Sequence, residues 1–406
     1  MNVATAKKPQ KRVDTPSFQN LGIIGYGKNN LYPQELLNIV AASETAVSCR
    51  NRRTNFIEGN GFLDVGFSEK ELNQSGETAD DILKQVAEDV SNFGGLAIHV
   101  NYNMLGEVVS YYHVPFENCR LCEPDDAGYV GKIAVHPDWS GKTKRKGKLL
   151  KVDKETVDYI DIFNPDPAIV TAQIERDGGI GMYKGQILWV GKGMQTYPIP
   201  VHDVVTAYMN TEEGLGNIVN RNARNGLNPS AIFVRKKGLE TNDEKLEGNQ
   251  NLFSGLDNKE QNDSQNLVEK LTEARGDENS SNIMVFEIDK DEDMPQMLTM
   301  QSKNYDKEFT VTLETCEKKI YSVFNQEVFY RIRQGSVGFS ADIMREAYEY
   351  YSSVTGSERR MIERAFNKLF NYTKNFTIQP LVYETINNNT STEPTNNAIS
   401  ANNGSR

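Results

Sequence analysis

The sequence predicts an α+β protein in which helices come first, a sheet follows and further helices close the chain. Apolar residues recur at helical spacing towards both ends and alternate with polar residues from about residue 96. Apolar residues also make up 38% of the chain, which is enough for a core and excludes wholesale disorder. A chain of 406 residues predicts two or three domains.

Helices are predicted in the first hundred residues. One follows Pro33, and a second begins after Ser43, a good N-cap, and ends at Gly59. The third is predicted over 78–93 with Gly94 as its C-cap, and its apolar stripe consists of Ile82, Val86, Val90 and Phe93.

From residue 96 the period becomes two, which predicts strands. Leu96 to Tyr102 alternates apolar and polar residues, so one buried face is expected, and Val108 to Val114 returns as a hairpin partner. Further strands are predicted at 132–135, 157–163, 169–174, 182–189 and 204–209. Residues 21–210 are therefore interpreted as one mixed α+β domain behind a flexible basic arm, residues 1–20.

A smaller unit is predicted beyond residue 210. It contains a short polar helix over 217–225 and, in order, a strand over 231–234, an exposed loop over 236–265, a helix over 267–274 and a strand over 283–288.

A long amphipathic helix follows this unit. Its apolar side is formed at steps of three and four by Tyr305, Phe309, Leu313, Cys316, Ile320 and Phe324. The pattern stops at Asn325 and Gln326, and a loop with Arg331, Arg333, Gly335 and Gly338 is predicted. Two helices capped by Ser340 and Ser357 then form a hairpin, and the Asn-, Ser- and Thr-rich end from about residue 384 is predicted to be disordered.

Composition narrows the function. The formal charge is 45 − 56 = −11, which argues against a protein that coats nucleic acid with its whole surface. The chain contains no run of eighteen apolar residues, so no membrane span and no membrane partner are predicted. Four cysteines in so long a chain favour a reducing compartment over a disulfide framework.

Two segments are candidates for a bound group. Residues 136–143 end like a phosphate-binding loop, but His136 stands where the first glycine belongs and no helix is predicted after it. Cys119 and Cys122 have the spacing of a zinc-binding pair, with His113 and His136 near in sequence. A second pair is lacking, so packed thiols are the favoured interpretation and zinc the open alternative.

The remaining candidates are interpreted as structural. His202 and Asp203 are adjacent, whereas catalytic partners normally come from distant segments. The carboxylates over 289–293 lack the glycine and closing glutamate of a calcium loop. We therefore expect no enzyme, no cofactor and no metal.

The order of several motifs resembles that of the portal proteins of tailed bacteriophages, in particular the compact kind of long-tailed phages. The likeness covers most of residues 26–372. It is carried by 26–33 with 44–62, by Tyr112-His113-Val114-Pro115, by 225–232, by 305–324 and by 338–369. One departure is that residues 210–225 are shorter than the family's helical approach, and the loop over 238–264 is correspondingly long.

The resemblance implies a portal fold with a mixed α/β wing, a helical stem, a small α/β clip and a helical crown, assembled as a dodecameric ring around a channel. By this resemblance the segments are the arm (1–20), wing (21–210), first stem helix (211–228), clip (229–298), second stem helix (299–325), channel loop (326–339), crown (340–383) and tail (384–406).

The resemblance also implies a function and partners. Such a ring occupies the portal vertex of the virion after assembly in the host cytoplasm. It passes double-stranded DNA during packaging and ejection, and it docks the large terminase subunit and later the head–tail adaptor beside the major capsid protein and scaffold. We expect non-specific DNA contacts from Arg331, Arg333 and Gln334, and ring packing from Phe309, Leu313, Ile320 and Phe324.

Two rival functions remain open. The first is another ring of the head–tail connector, although such proteins are usually much shorter and lack a clip between two helices. The second is a zinc-dependent, nucleic-acid-processing enzyme that uses Cys119, Cys122 and the nearby histidines.

Overall fold

The computed structural model describes residues 13–145, 148–149, 151–193, 196–225, 231–236, 283–288, 305–338, 340–373 and 375–383. They form two compact units. The first contains the described residues up to Thr206 and from Lys318 onward, and the second contains those from Ala207 to Glu317. The class is α+β, as predicted. The predicted clip loop, the helix over 267–274, the acidic loop, most of the arm and the tail lie outside the described residues.

The first unit begins with a two-stranded ribbon and four helices: β1 (Ser17–Phe18), β2 (Ile23–Ile24), α1 (Tyr32–Ala42), α2 (Glu44–Glu58), α3 (Val65–Ser68) and α4 (Ala79–Phe93). The predicted caps are confirmed. The amide of Ala46 donates to Ser43 Oγ at 3.1 Å, and Gly94 closes α4 with a φ of 74°. Thr78 and Asp81 add a capping box at the start of α4, which satisfies backbone groups that the helix cannot.

A six-stranded sheet follows, in the order β4-β3-β10-β9-β6-β5, with every neighbouring pair antiparallel except β9 and β10. Its strands are β3 (Gly95–Tyr102), β4 (Val108–His113), β5 (Cys119–Leu121), β6 (Lys132–Val135), β9 (Asp158–Ile162) and β10 (Gln186–Gly191). The predicted hairpin of β3 and β4 is confirmed. Between β6 and β9 lies a small ribbon of β7 (Lys144–Arg145) and β8 (Lys148–Leu149).

Two predicted strands are wrong. Residues 169–174 lie in helix α5 (Pro167–Arg176), because Asp166 Oδ1 accepts the amide of Ala168 and Pro167 occupies the first turn. These start signals outweigh the β-branched residues that favour a strand. Residues 204–209 pass from a 3₁₀ turn (Val201–Val205) into helix α6 (Thr206–Asn225).

Helix α6 is longer than the polar helix predicted over 217–225, which is only its C-terminal half. Val205 and Met209, four residues apart, are the buried positions at its start, whereas Val204 is 50% exposed. This spacing is helical.

The second unit contains most of α6, two strands and the start of a long helix. Strands β11 (Ala231–Lys236) and β12 (Ile283–Ile288) pair in parallel, with Ala231 opposite Ile283. Both strands were predicted, and so was the helix that follows them, α7 (Tyr305–Val323).

Three helices complete the chain: α8 (Glu327–Arg333), α9 (Ala341–Val354) and α10 (Gly356–Leu369). Ser340 caps α9 as predicted, and its Oγ accepts the amide of Ile343. The predicted cap at Ser357 is wrong, because α10 starts two residues earlier and Thr355 is its N-cap. Thr355 is fully buried and donates its hydroxyl to the carbonyl of Phe56 at 3.3 Å. This bond fixes the turn between α9 and α10 to helix α2.

One core joins the N-terminal and C-terminal parts of the first unit. It packs α4 and one face of β3 against α10, the helix that the resemblance assigns to the crown. Helix α10 belongs to this core because its apolar side finds buried partners there; that side consists of Ile362, Ala365, Phe366 and Leu369. Strand β3 is covered on its other face as well, since Ala97 packs with Phe93 and Phe116.

The core predicts a stability difference between two identical substitutions. Leu83 is fully buried on α4, whereas Leu105 at the tip of the β3–β4 hairpin is 82% exposed. We expect Leu83→Ala to lower the free energy of unfolding by about 2–5 kcal/mol, because it leaves a cavity. Leu105→Ala should change it by less than about 0.5 kcal/mol. Urea denaturation of both variants is the measurement, and equal losses would contradict the assigned core.

Candidate nucleic-acid contact segment

The predicted DNA-contact residues lie at the end of a short helix rather than in a loop. The sequence predicts a loop over 326–339, but residues 327–333 form α8, and Arg331 and Arg333 lie in its last turn. Two turns of helix are too short for a period to be recognised, and the buried positions Phe329 and Tyr330 are adjacent. The name arginine segment is used below for residues 324–338.

A hydrogen-bonded turn sets the direction of the arginine segment. Asn325 has a φ of 56° and follows the end of α7. The amide of Gln326 donates to Tyr321 O at 2.9 Å, and that of Asn325 donates to Ser322 O at 3.0 Å. This pair of bonds is a Schellman motif, which satisfies the last carbonyls of α7 and ends that helix sharply.

Gln326 fixes the turn to two other helices. Its side chain is fully buried, and its Nε2 donates to the carbonyl of Cys49 on α2 at 2.8 Å and to the hydroxyl of Tyr351 on α9 at 2.6 Å. Its Oε1 accepts Nη1 of Arg52 at 2.8 Å. Because every hydrogen-bonding atom of the amide is used, α8 starts from a fixed point. Sequence reasoning missed this role; the only signal is a polar residue two positions after the apolar Phe324.

Aromatic packing anchors α8 to α2 and α9. Phe329 lies among Phe56, Tyr348 and Tyr351, with ring centroids 5.7–6.2 Å apart. The guanidinium of Arg52 lies over the Phe329 ring, 4.6 Å from its centroid. Edge-to-face contacts and a cation over a ring both stabilise such a cluster, so Phe329 is the apolar anchor of the segment.

The two arginines do not share a face of α8. Both are exposed, but they are two positions apart, which is roughly 200° around a helix. Gln334 is also exposed, and its amide donates to Tyr330 Oη at 2.6 Å. Gly335, with a φ of 69°, closes the helix through a second Schellman motif, so the predicted role of this glycine is confirmed. Cations in the last turn also interact favourably with the helix dipole.

A buried ion pair lies under the same region. Arg53 Nη2 on α2 is 2.6 Å from Glu358 Oε1 on α10, and both side chains are nearly inaccessible. Lys192 Nζ lies 2.8 Å from the same oxygen. Burial raises the pKa of Glu358, but Arg53 and Lys192 outweigh burial, and the net direction is downward. Sequence reasoning missed this ion pair, because its two residues lie 305 positions apart.

His202 and Asp203 are structural, as the sequence indicates. His202 is fully buried and stacks on Phe324 with ring centroids 5.3 Å apart, and neither of its nitrogens forms a hydrogen bond with a described residue. Burial, together with the nearby charges of Arg53 and Arg50, lowers the pKa of His202 to about 3, so the ring is neutral near neutral pH. Asp203 accepts the hydroxyl of Tyr32 at 2.8 Å.

The four predicted ring-packing residues divide into two pairs. Ile320 and Phe324 are fully buried within the chain, so neither presents an exposed surface to a second copy. The amphipathic pattern identifies the apolar side of α7, but it does not distinguish an internal contact from an external one. Phe309 is half-buried and Leu313 is 39% exposed.

The structure favours packed thiols at Cys119 and Cys122. They pack in different apolar clusters, Cys119 with Phe93 and Cys122 with Trp139, so their sulfurs do not converge on one ion. Burial raises the pKa of both thiols, that of Cys122 to about 11, as expected for thiols packed in apolar surroundings. His113 Nε2 lies 2.7 Å from Asp89 Oδ2. Within the described ranges, no three His, Cys, Asp or Glu side chains form a metal-binding group.

Residues 136–143 do not form a phosphate-binding loop. The carboxylate of Asp138 accepts the amides of Ser140 at 2.9 Å and Thr143 at 2.8 Å, so it occupies donors that would otherwise face an anion. Burial raises the pKa of Asp138, but the hydroxyl of Ser140, which also donates to this carboxylate, and these amides together lower it to about 2. A strand, β7, follows rather than a helix.

Comparison with known proteins identifies no family. No family model and no curated relative matches the chain. Solved structures match loosely: the virion of a native gene transfer agent particle (TM-score 0.45, 12% identity), the neck of the native particle computed with C12 symmetry (0.44, 11%) and the neck of the empty particle computed with C6 symmetry (0.43, 10%). Each alignment covers 86% of this chain and 83% of the other. TM-scores below 0.5 assign no function to this chain.

A membrane span is not found in the described part of the chain, where every helix is too short or too polar to cross a bilayer.

The Gln326 network predicts the effect of an isosteric change. Gln326→Leu keeps the volume but removes the hydrogen bonds to the Cys49 carbonyl and the Tyr351 hydroxyl. We expect the free energy of unfolding to decrease by about 1–3 kcal/mol, the cost of unsatisfied buried groups. Gln334→Leu, the same substitution at an exposed position, is the control and should change it by less than about 0.5 kcal/mol. Urea denaturation distinguishes the two, and an unchanged Gln326→Leu variant would contradict the network.

The Arg53–Glu358 pair predicts a pH dependence. The folded-state pKa of Glu358 is below its ordinary value of 4.5. The ionised carboxylate therefore contributes fully to the free energy of unfolding above that pH, and this contribution is lost as the pH falls through the folded-state pKa. At about pH 7, Glu358→Gln should lower the free energy of unfolding by about 3–5 kcal/mol, because it leaves Arg53 unpaired. At about pH 3 the difference in the free energy of unfolding between this variant and the unsubstituted chain should be smaller. Denaturation at both values tests this. Glu349→Gln, at an exposed position on α9, should show no such dependence.

Proposed function

We propose that this chain is the subunit of a portal ring, the channel at one capsid vertex through which double-stranded DNA is packaged and ejected. The order of elements carries the proposal. The chain leaves an α/β unit on α6, forms a small parallel strand pair, returns on α7 and continues directly into α8, which bears two exposed arginines. In a portal subunit α6 would be the first stem helix and the strand pair would belong to the clip. Helix α7 would then be the second stem helix, and α8 would narrow the channel.

Exposed apolar side chains on the two long helices support assembly. On α6, Ile218 is 43% and Val219 is 57% exposed; on α7, Val311 is 56% and Leu313 is 39% exposed. Apolar groups clustered on exposed helices commonly mark contacts with another chain. A contact between different faces of identical subunits closes into a ring when the rotation permits it. Twelve copies would agree with the resemblance in the sequence.

The charge distribution suits a conduit. With −11 per subunit, a ring of copies repels the DNA backbone and keeps it from adhering. Each neutralised phosphate adds a salt-dependent grip that slows sliding, so few cations should face the channel. Arg331 and Arg333 would supply contacts at the narrowest point without reading bases.

In this proposal the ring is passive and catalyses no reaction. It would need no cofactor, and the energy for translocation would come from the large terminase subunit docked on it. The head–tail adaptor would replace this motor after packaging, and the major capsid protein and scaffold would surround the ring at the vertex. Assembly would take place in the host cytoplasm.

Imaging tests the proposal directly. Negative-stain images of the purified chain should show rings with an axial hole, and light scattering should give a mass of many subunits. A chain that remains monomeric at high concentration, both alone and in purified particles, would overturn the proposal. Metal analysis addresses the enzyme alternative, for which stoichiometric zinc would be required.

Leu313 provides a test of assembly through α7. We expect Leu313→Asp to convert rings into monomers, because burial of a carboxylate in an apolar contact is unfavourable. Size-exclusion chromatography with light scattering measures the change. The control is Leu63→Asp, the same substitution at a position that is 60% exposed in the first unit, and it should leave the ring intact. Intact rings of Leu313→Asp would exclude this residue from the interface.

The arginine segment provides a test of the channel. Particles that carry Arg331→Ala and Arg333→Ala together should package shorter DNA or lose it more readily, because two phosphate-contacting cations per subunit are removed. Since the two residues occupy different faces of α8, the two single variants should differ from each other in the length or retention of the packaged DNA. Arg360→Ala, at an exposed arginine on α10, is the control. Normal length and retention of DNA in the double variant would refute the contact.

A further inference from the structure

A second basic element lies in the first unit, in the connection between β6 and β9. Residues 142–154 contain seven basic side chains and one carboxylate, although the whole chain is acidic; the basic ones are Lys142, Lys144, Arg145, Lys146, Lys148, Lys151 and Lys154. The name basic ribbon is used for residues 142–145, 148–149 and 151–154, which surround strands β7 and β8.

The base of the basic ribbon is anchored in the core. Trp139 precedes it and is 6% exposed, and its indole Nε1 donates to the carbonyl of Asn118 at 3.0 Å. Val157 follows it and is 3% exposed, and both side chains pack in the cluster that contains Ile23 and Ala134. The ribbon therefore starts and ends at fixed positions beside the sheet.

Its lysines are exposed. Lys142, Lys144, Lys151 and Lys154 all lie on the surface, and none forms an ion pair within the part of the chain that the structure describes. Asp153, the carboxylate among them, accepts the amides of Glu155 at 3.1 Å and Thr156 at 2.9 Å. The Asp153 carboxylate thus forms hydrogen bonds with the backbone of its own turn rather than ion pairs with these lysines. The ribbon keeps a concentrated positive charge.

We propose that the basic ribbon binds the phosphodiester backbone of double-stranded nucleic acid without sequence preference. Lysine is a hydrated point charge that suits phosphate oxygens, whereas protein interfaces are depleted in lysine and enriched in arginine and aromatic residues. Six of the seven basic residues are lysines, and residues 142–154 contain no aromatic residue. This composition favours a nucleic acid over an acidic protein surface. The inference does not depend on the proposed portal function.

Binding and its salt dependence test the inference. A short labelled DNA duplex and an RNA duplex of the same sequence are titrated with the full chain, and fluorescence anisotropy is followed between about 50 and 200 mM salt. Four phosphate contacts predict a slope of log K against log salt of about −3.6, which is roughly a 100-fold loss over that range. A DNA duplex of unrelated sequence should bind equally well. The two duplex types establish which nucleic acid is bound.

The variants separate the ribbon from the overall charge. Replacing Lys142, Lys144, Lys151 and Lys154 with Gln should abolish most of the binding, and replacing only Lys142 and Lys144 should reduce the slope by about 1.8. The control variant has the same net charge and replaces the exposed Lys28, Lys70, Lys184 and Lys368 with Gln; it should bind like the unsubstituted chain. Circular dichroism and urea denaturation confirm that each variant is folded.

Three outcomes overturn the inference. They are no duplex binding by the unsubstituted chain at about 50 mM salt, equal binding by ribbon and control variants, and a ribbon variant that changes only self-association in sedimentation velocity. The last outcome would assign the ribbon to an acidic surface of a second copy. Ring formation is measured separately, so a chain without rings that still binds duplex through the ribbon keeps this inference and loses the portal function.

Discussion

The hydrogen bonds and the ion pair that helix α2 makes with the C-terminal part of the chain are the constraint on which the first unit depends. The unit is assembled from two segments separated by more than a hundred residues. Helix α2 supplies Arg53 to Glu358, and its Cys49 carbonyl to Gln326. The carbonyl of Phe56 accepts Nη1 of Arg359 at 2.6 Å. Such buried polar contacts add less net stability than apolar packing, but they specify one arrangement.

This constraint determines how the chain can present the arginine segment. Helix α7 ends where Gln326 is held, and α8 begins at the same place. A basic group at the end of a rigidly seated helix has few orientations, whereas the same group on a free loop has many. The basic ribbon follows the same principle, since its anchors lie on both sides of it. In both places a small positive element is fixed to a strongly acidic chain.

The elements with a long, regular period were predictable. The capped helix α4, the alternating strand β3 and the long helix α7 each contain enough positions for their period to be recognised. The failures occurred where local signals conflict. A β-branched run obscured the Asp-Pro start of α5, and two turns were too few to reveal α8.

The candidate site was predictable in part. The exposure of Arg331 and Arg333 agrees with the sequence, because charged residues beside glycines usually lie on the surface. Their fixation by Gln326 depends on residues about 275 positions earlier, which no local pattern contains. The burial of Ile320 and Phe324 within the chain could not be predicted either, because an apolar stripe does not indicate whether the same chain or a second copy covers it.

The parallel pairing of β11 and β12 limits how far evolution or engineering can shorten the second unit. An antiparallel pair can be joined by two residues, but a parallel pair requires the backbone to travel back along the full strand before it pairs again. For six-residue strands this return takes at least about ten to twelve residues. Residues 237–282 exceed that minimum several times over, so deletions within them are topologically permissible down to that length and no further.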